Sequence, residues 1–246
     1  MPLEHATSRP IHVVAGVVID ADDRVLIAQR PAGKHLEGGW EFPGGKLEPG
    51  EARVDGLARE LREEIGLQIG QPRPLIRLRH AYPYGEVLLD VWVVRRYRGR
   101  PQAMDGQQLR WCRQDELASA DLLPADRPIV AALRLPERLW QTCTPFYRVG
   151  DLSLLRDHPA GGGHAAQDSK LLGVWCRNAD EAAAAAAAGS NFLVLHETLA
   201  DGDLAALCDA VAVPVFARGV PLERAWALGA SGINAMESMV VFEDVR

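Results

Sequence analysis

The chain reads as an α/β protein in two unlike halves, on three observations. Roughly the first 140 residues are β-rich with a helix in their middle. From about Leu171 onward, short strands and helices alternate, the pattern of βα units around a parallel sheet. Finally, 246 residues is long for one compact domain and comfortable for two.

In the first half, Ile11–Ile19 and Arg24–Gln29 are β-rich runs joined by Asp20-Ala21-Asp22-Asp23, the composition of a hairpin turn. Residues Pro31–Trp40 form a loop, and Glu41-Phe42-Pro43-Gly44-Gly45 a tight turn rich in helix and strand breakers. Pro49-Gly50-Glu51 leads into a helix over Ala52–Ile65, which Gly66 ends. Leu75–His80 and the β-branched, aromatic Val87–Tyr97 are strands, Leu109–Cys112 a shorter one. Gln114–Leu117 begins a helical turn, and Arg127–Leu135, after Pro124, is a closing helix. Pro136–Pro145 reads as the end of this domain, which gives a first domain 1–140, a linker 141–170 and a second domain 171–246.

The second half runs strand Leu171–Cys176, helix Glu181–Ala188 capped by Asn178 or Asp180 and stopped by Gly189, then strand Phe192–Leu195. Helix Asp203–Val211, strand Val213–Ala217, helix Leu222–Leu228 and strand Gly232–Ala235 follow. The alanine run 182–188 needs only the helix preference of alanine. Pro159–Lys170, with Gly161-Gly162-Gly163, is a loop. No strand runs into those glycines and no helix pattern follows them, so a phosphate-cradling motif has no context there.

Composition narrows the function. A 48% hydrophobic and 24% charged make-up is that of an ordinary globular chain, and the net charge of −6 argues against a nucleic-acid polymer or a membrane surface as partner. Cys112, Cys143, Cys176 and Cys208 are scattered, with no zinc spacing, and read as reduced cytosolic thiols. The polar Met1–Pro10 lacks the apolar core of a signal peptide, and no segment approaches a membrane span. A cytoplasmic protein is expected.

The chemistry concentrates in Gly45–Leu67. Glu60, Glu63 and Glu64 stand at i, i+3 and i+4, so on a helix their carboxylates share one face. Three like charges so close repel one another unless a cation lies among them, and oxygen-only ligands on a rigid helix suit Mg²⁺. Alone, the cluster could equally be an exposed acidic face. Its flanks say more. Gly45, five residues, Glu51, seven residues, then Arg59-Glu60-Leu61-Arg62-Glu63-Glu64-Ile65-Gly66-Leu67 resembles the Nudix box, G-x5-E-x7-R-E-U-x-E-E-x-G-U with U aliphatic, at every specified position.

That resemblance implies a mixed α/β/α sandwich that hydrolyses a nucleoside diphosphate linked to another group. It implies Mg²⁺, with Mn²⁺ as a substitute, held by Glu60, Glu63 and Glu64 with the Gly45 carbonyl, and Glu51 paired with Arg59 to steady the ligand helix. Trp40-Glu41-Phe42-Pro43-Gly44-Gly45-Lys46 and Leu123-Pro124-Ala125-Asp126-Arg127-Pro128 further resemble the MutT branch, which hydrolyses nucleoside triphosphates, notably 8-oxo-dGTP, to the monophosphate and pyrophosphate. On that resemblance Arg30 and Lys46 face phosphates, Asp105 assists the metal or acts as base, and His35, Phe42 and Asp126 line the base site. For Arg30, Lys46, Asp105 and His35 the alternative is an ordinary solvated side chain. One departure bears on specificity: the branch has Asn where this chain has Asp126. An amide both donates and accepts, whereas an ionised carboxylate only accepts and would repel O6 of 8-oxoguanine unless it were protonated by burial. CTP and thiamine-related pyrophosphates are the alternative substrates.

The C-terminal part resembles the second half of thiamine phosphate synthase, in Leu172-Gly173-Val174-Trp175-Cys176, Ala188–Leu195, Val213–Gly219 and Gly229–Ala235. In that family these are late strands of a (β/α)8 barrel. The early strands are missing, and roughly 100 residues cannot close a barrel that typically needs about 250. The expectation is a partial, half βα-barrel without catalytic function, whose open edges pack on a neighbour or pair in a homodimer.

Overall fold

The computed structural model describes residues 10–31, 33–139, 147–150 and 171–235. Of the expected linker 141–170 only Tyr147–Gly150 is described, and it is a strand rather than a loop; the Gly161–Gly163 loop and Cys143 lie outside the described residues. Contacts divide the chain into two compact units. The first comprises Met1–Pro72, Leu78–Arg113 and Ala120–Asp126, the second Arg73–Arg77, Gln114–Ser119 and Arg127–Arg246.

In the first unit, β1 (Ile11–Val18) is buried continuously from Val14, as a strand covered on both faces must be. It runs parallel to β7 (Gly85–Val94), from Ile11↔Val87 to Val18↔Val94, and antiparallel to β4 (Gly44–Lys46), with Val14 opposite Gly45. The sheet order is β4-β1-β7-β6, where β6 is Arg73–Tyr82. A second sheet sets β2 (Val25–Gln29) between β3 (Trp40–Glu41) and β9 (Leu109–Cys112). A small ladder joins β5 (Gln68–Ile69) to β8 (Tyr97–Arg98).

Two readings of the sequence need correction here. Asp20–Asp23 does turn the chain: Asp20 N–H donates to Arg24 O at 3.0 Å and Ile19 bridges Val25. Yet β1 and β2 enter different sheets, because β4 and β7 already occupy both edges of β1. The Gly44-Gly45 turn is instead a short strand, since two glycines let β4 lie close against β1.

Helix α1 (Arg53–Ile65) sits on the first sheet. Leu57, Leu61 and Ile65, fully buried, pack with Val14, Val18 and Trp92. Gly66 ends the helix in the left-handed conformation at φ 70°, its N–H returned to Arg62 O and Leu61 O. At the sheet's entry His12 Nε2 hydrogen-bonds buried Asp90 Oδ2, and Arg53 Nη1 stands 3.5 Å from Asp90 Oδ1.

The second unit is a six-stranded parallel sheet. Strands β10 (Arg138–Leu139), β11 (Tyr147–Gly150), β12 (Leu171–Cys176), β13 (Phe192–Leu195), β14 (Val215–Ala217) and β15 (Gly232–Asn234) stand in the order β10-β15-β14-β13-β12-β11. From β11 to β15 each strand lies beside its predecessor, so the chain winds in one direction. Helix α2 (Arg127–Ala132), shorter than the Arg127–Leu135 expected, precedes this sheet, and helices α3 (Ala179–Ala187), α4 (Asp201–Ala210) and α5 (Leu222–Ala227) alternate with the strands. Ala182, Ala185, Leu204, Leu207 and Ala225 join Val174, Leu193 and Val215 in its core. Asn178, not Asp180, caps α3, accepting from Glu181 N–H at 2.9 Å. Arg73–Arg77 belongs to this unit: Arg77 pairs with Asp209 at 2.8 Å, and Ser231 Oγ donates to Leu75 O at 2.7 Å. The parallel sheet is present. The described strands do not establish a half-barrel. Among the described residues no helix is long and apolar enough to cross a membrane.

Candidate active site

Burying one face of α1 leaves Arg59, Glu60, Glu63 and Glu64 on the rest of its circumference. Strand β4 runs against those residues. Gly44 N–H donates to Glu64 Oε2 at 2.8 Å, and a Cβ on Gly45 would stand 2.2 Å from Glu60 Oε2. A Cβ on Gly44 would meet Val14 O at 2.1 Å. Backbone approach therefore imposes glycine at Gly44, while a side chain at Gly45 would have to displace the Glu60 carboxylate.

Arg59 is the hub. Its Nε and Nη2 each donate to Glu51 at 2.9 Å, a two-pronged pair, while Nη1 donates to Glu60 Oε1 at 2.8 Å and to Glu63 Oε2 at 3.3 Å. Nη2 also reaches Lys46 O at 3.1 Å and so ties β4 to the helix. The Arg59 guanidinium, helped by Glu48 N–H, brings the Glu51 carboxyl down to about 2. Arg59 is held firmly charged by the same pair.

Glu64 is pushed the other way, up to about 7, first by burial and then by the nearby charges of Glu41, Asp105 and Glu60, against the help of Gly44 N–H. Asp105 is exposed on the loop after β8, where its N–H donates to Gln107 Oε1 at 2.9 Å. Buried Gln107 in turn donates from Nε2 to Glu64 O at 2.9 Å, and Met104 N–H reaches the same carbonyl at 3.1 Å. The loop carrying Asp105 is thus pinned to the last turn of α1. Nothing in the sequence marks Gln107; only the fold reveals its place.

Among the described residues no three His, Cys, Asp or Glu side chains are gathered as a ready metal cluster. Glu60 and Glu63 are turned to Arg59, and Glu64 to Gly44. The donor set nevertheless fits a hard divalent cation. It is all oxygen, it flanks the close-packed glycine strand, and it includes a carboxyl whose proton affinity is raised by burial first and by neighbouring carboxylates second.

A second group lies at the ends of β2 and β3. Arg30 Nη1 donates to Glu41 Oε2 at 2.7 Å, while Arg30 Nε is buried without a partner. Asp126 is buried at 5% exposure, and its proton affinity is raised well above the carboxylate range by burial first and by Glu41 second, against the pull of Arg30. Glu41 is raised for the same first reason, burial. Phe42 is 3% exposed, which leaves little of its ring to a ligand. Lys46 and His35 are exposed. Around His35 the structure gathers rings absent from the sequence reading: Tyr82 and Tyr84, stacked at 5.1 Å and 7°, and His80, 4.5 Å from Tyr82.

The NUDIX domain family profile matches residues 14–132. The CTP pyrophosphohydrolase of Escherichia coli (strain K12) is 38% identical over 122 residues, which span 50% of this chain and 90% of that protein. The chain belongs to the Nudix family. The 8-oxo-dGTP diphosphatase of the same organism is 30% identical over 126 residues, 51% of this chain and 98% of that protein. The solution structure of the E. coli ORF135 protein superposes with a TM-score of 0.47 at 36% identity, over 54% of this chain and 93% of that one. Nudix hydrolases are generally divalent-metal dependent, and the Nudix part of this chain is a pyrophosphohydrolase. The family match ends at residue 132, and it gives no support to a thiamine phosphate synthase-like second half.

Proposed function

We propose that the protein hydrolyses nucleoside triphosphates to the monophosphate and pyrophosphate with Mg²⁺, and that 8-oxo-dGTP is its substrate, so that it clears the nucleotide pool. The observation that carries the reading is the Arg59 hub, which holds Glu51, Glu60 and Glu63 together while Glu64 accepts Gly44 N–H from the glycine strand. Glu60, Glu63 and Glu64 would hold the metal beside the Gly45 carbonyl. A divalent ion held by these residues would supply charge neutralisation for the phosphates and activation of a water. Arg59 and Glu51 orient the ligand face. The proton of the water passes to a carboxylate of the Glu64–Asp105 group, and Arg30 and Lys46 attract the phosphate chain. Positioning and charge neutralisation carry the reaction without a covalent intermediate.

Asp126 reads the base. A carboxyl buried beside Glu41 keeps its proton, and a carboxylic acid presents one donor and one acceptor side by side. That pair matches O6 and N7–H of 8-oxoguanine. It matches N3 and the amino group of cytosine equally well, and this supports CTP as a second reading, since the CTP pyrophosphohydrolase is among the similar proteins. The parallel-sheet half is then a non-catalytic, truncated thiamine phosphate synthase-like unit that pairs chains into a homodimer.

The test is kcat/KM with Mg²⁺ for 8-oxo-dGTP, dGTP, CTP and thiamine pyrophosphate, with pyrophosphate and phosphate detected separately. A preference of about a hundredfold for 8-oxo-dGTP, roughly 2.7 kcal/mol of transition-state discrimination, with pyrophosphate released, is expected. A maximum on CTP would transfer the assignment to the second reading. A flat profile would overturn both.

A further inference from the structure

Tyr84 occupies an unusual place for a large ring. It stands at the tip of the two-residue turn Pro83-Tyr84 between β6 and β7, and 52% of its surface is exposed. Leu36, on the loop that carries His35, is another of the few large apolar side chains left open, at 37%.

The rings there are ordered. Tyr82 covers one face of Tyr84, with centroids 5.1 Å apart and planes 7° from parallel. His35 meets Tyr84 edge-on at 4.7 Å and lies 6.2 Å from Tyr82. Had His35 sat on the far face of Tyr84, its separation from Tyr82 would be much larger than 6.2 Å, so it flanks the ring at its side. The Tyr84 face turned away from Tyr82 is covered by neither neighbour. Below the stack, the Tyr82 hydroxyl hydrogen-bonds the Ala125 backbone, within electrostatic reach of Asp126 and Arg30. The open ring therefore belongs to the same end of the unit as a buried donor–acceptor carboxyl and an arginine whose Nε–H lacks a partner.

We infer that Tyr84, backed by Tyr82 and flanked by His35, is the stacking platform for the nucleobase, and that it sets how strongly the enzyme grips any base while Asp126 selects among bases. This rests on the nucleotide reading given above. A flat aromatic face accepts every base, because each has a π-face, so the platform contributes affinity and the hydrogen-bonding carboxyl contributes choice.

The test compares the full-length wild type with Tyr84→Ala and Tyr84→Phe, using dCTP, 8-oxo-dGTP and the base-free 2-deoxyribose 5′-triphosphate. Tyr84→Ala should lower kcat/KM for both nucleotides about 10- to 100-fold through KM, equivalent to about 1.4–2.7 kcal/mol of stacking, with a fall at least about tenfold smaller for the base-free compound. Tyr84→Phe, which keeps the ring, should stay within about threefold of wild type. Equal losses on all three substrates would mean that the ring only supports the hairpin, and no loss would mean that it is unused; either overturns the inference. Titration of the EDTA-treated wild type and Tyr84→Ala proteins with dCMP and dGMP, followed by tyrosine fluorescence, decides it independently of turnover. Saturable quenching in the wild type that the alanine variant lacks is expected, and its absence refutes the platform even if hydrolysis is found. If quenching is present but no nucleotide is hydrolysed, the hydrolase assignment fails and the platform stands.

Discussion

Replacing Glu64 by Gln should leave the metal-free protein inactive and, at pH 8, more stable than wild type. The folded protein holds the Glu64 proton up to about 7 against an ordinary 4.5, because ionising it places a charge in a buried position among Glu41, Asp105 and Glu60. The folded state therefore binds this proton more tightly than the unfolded chain does. The stability it contributes is complete below 4.5, declines as pH rises from 4.5 to about 7, and is absent above that. At about 1.36 kcal/mol for each pH interval, wild type loses roughly 3 kcal/mol across the window. Glutamine is neutral throughout, and its amide oxygen can still accept Gly44 N–H, so the variant escapes the loss. Urea unfolding in EDTA at pH 4, 6 and 8 reads the effect as a rise in midpoint at unchanged slope. The expected gap is near zero at pH 4 and about 2–3 kcal/mol at pH 8. A gap that is absent at pH 8, or as large at pH 4 as at pH 8, would refute the reasoning, because the carboxyl would then not be destabilised by its neighbours. Adding Mg²⁺ should close the gap at a hundredfold excess over Kd, where wild type gains about 2.7 kcal/mol, and reverse it at a thousandfold excess, where it gains about 4.1 kcal/mol, while Glu64→Gln gains little.

Three other outcomes follow from the same geometry. Asp126→Asn should stabilise the protein at neutral pH, since the raised carboxyl contributes stability that is complete below 3.8 and lost as pH rises through its folded value; denaturant midpoints of the two proteins should converge near pH 3.8 and separate above it. Glu51→Gln removes half of the two-pronged Arg59 pair and should lower kcat about 10- to 100-fold with little change in KM or in the circular dichroism spectrum. Gly44→Ala would drive a Cβ to 2.1 Å from Val14 O at φ 156°, against the Val14-Ala15 backbone with nothing flexible to yield; a loss of about 3 kcal/mol or more should show in thermal unfolding.

The parts of the fold that could be read in advance are those whose information is local. Helix α1 was legible because Leu57, Leu61 and Ile65 recur on one face and Gly66 stops the chain where a left-handed residue is needed. The alternating second half was legible as a parallel sheet for the same reason. Strand β4 was not. Gly44-Gly45 has the composition of a turn, and its reason for being glycine, the approach to Val14 O and Glu60, exists only once β1 and α1 are in place. Strands β10 and β8, two residues each, carry too little pattern to see. The same division runs through the site. The carboxylates of α1 lie within one stretch of sequence and announce themselves. Gln107 reaches Glu64 O across 43 positions, and the β2–β3 register sets Glu41 beside Arg30. Tyr84 reaches His35 only because a hairpin tip meets a loop. Such partners are chosen by topology.

Helix α1 has two tasks that oppose each other. Its functional face gathers Glu60, Glu63 and Glu64, which repel, and Glu64 is pushed up to about 7 by burial first and by neighbouring carboxylates second. Its other face seats Leu57, Leu61 and Ile65 at zero exposure against the first sheet. Each such side chain contributes about 1.5–3 kcal/mol of burial, so the three together exceed the roughly 3 kcal/mol that the Glu64 charge costs. Arg59 offsets part of the remainder by giving Glu60 and Glu63 a shared cation. The helix can therefore stay formed with its carboxylates crowded and no metal present, and chelation should abolish turnover while leaving the far-ultraviolet circular dichroism unchanged. A protein that unfolded on chelation would show that the metal, rather than the buried leucine face, holds α1 to the sheet.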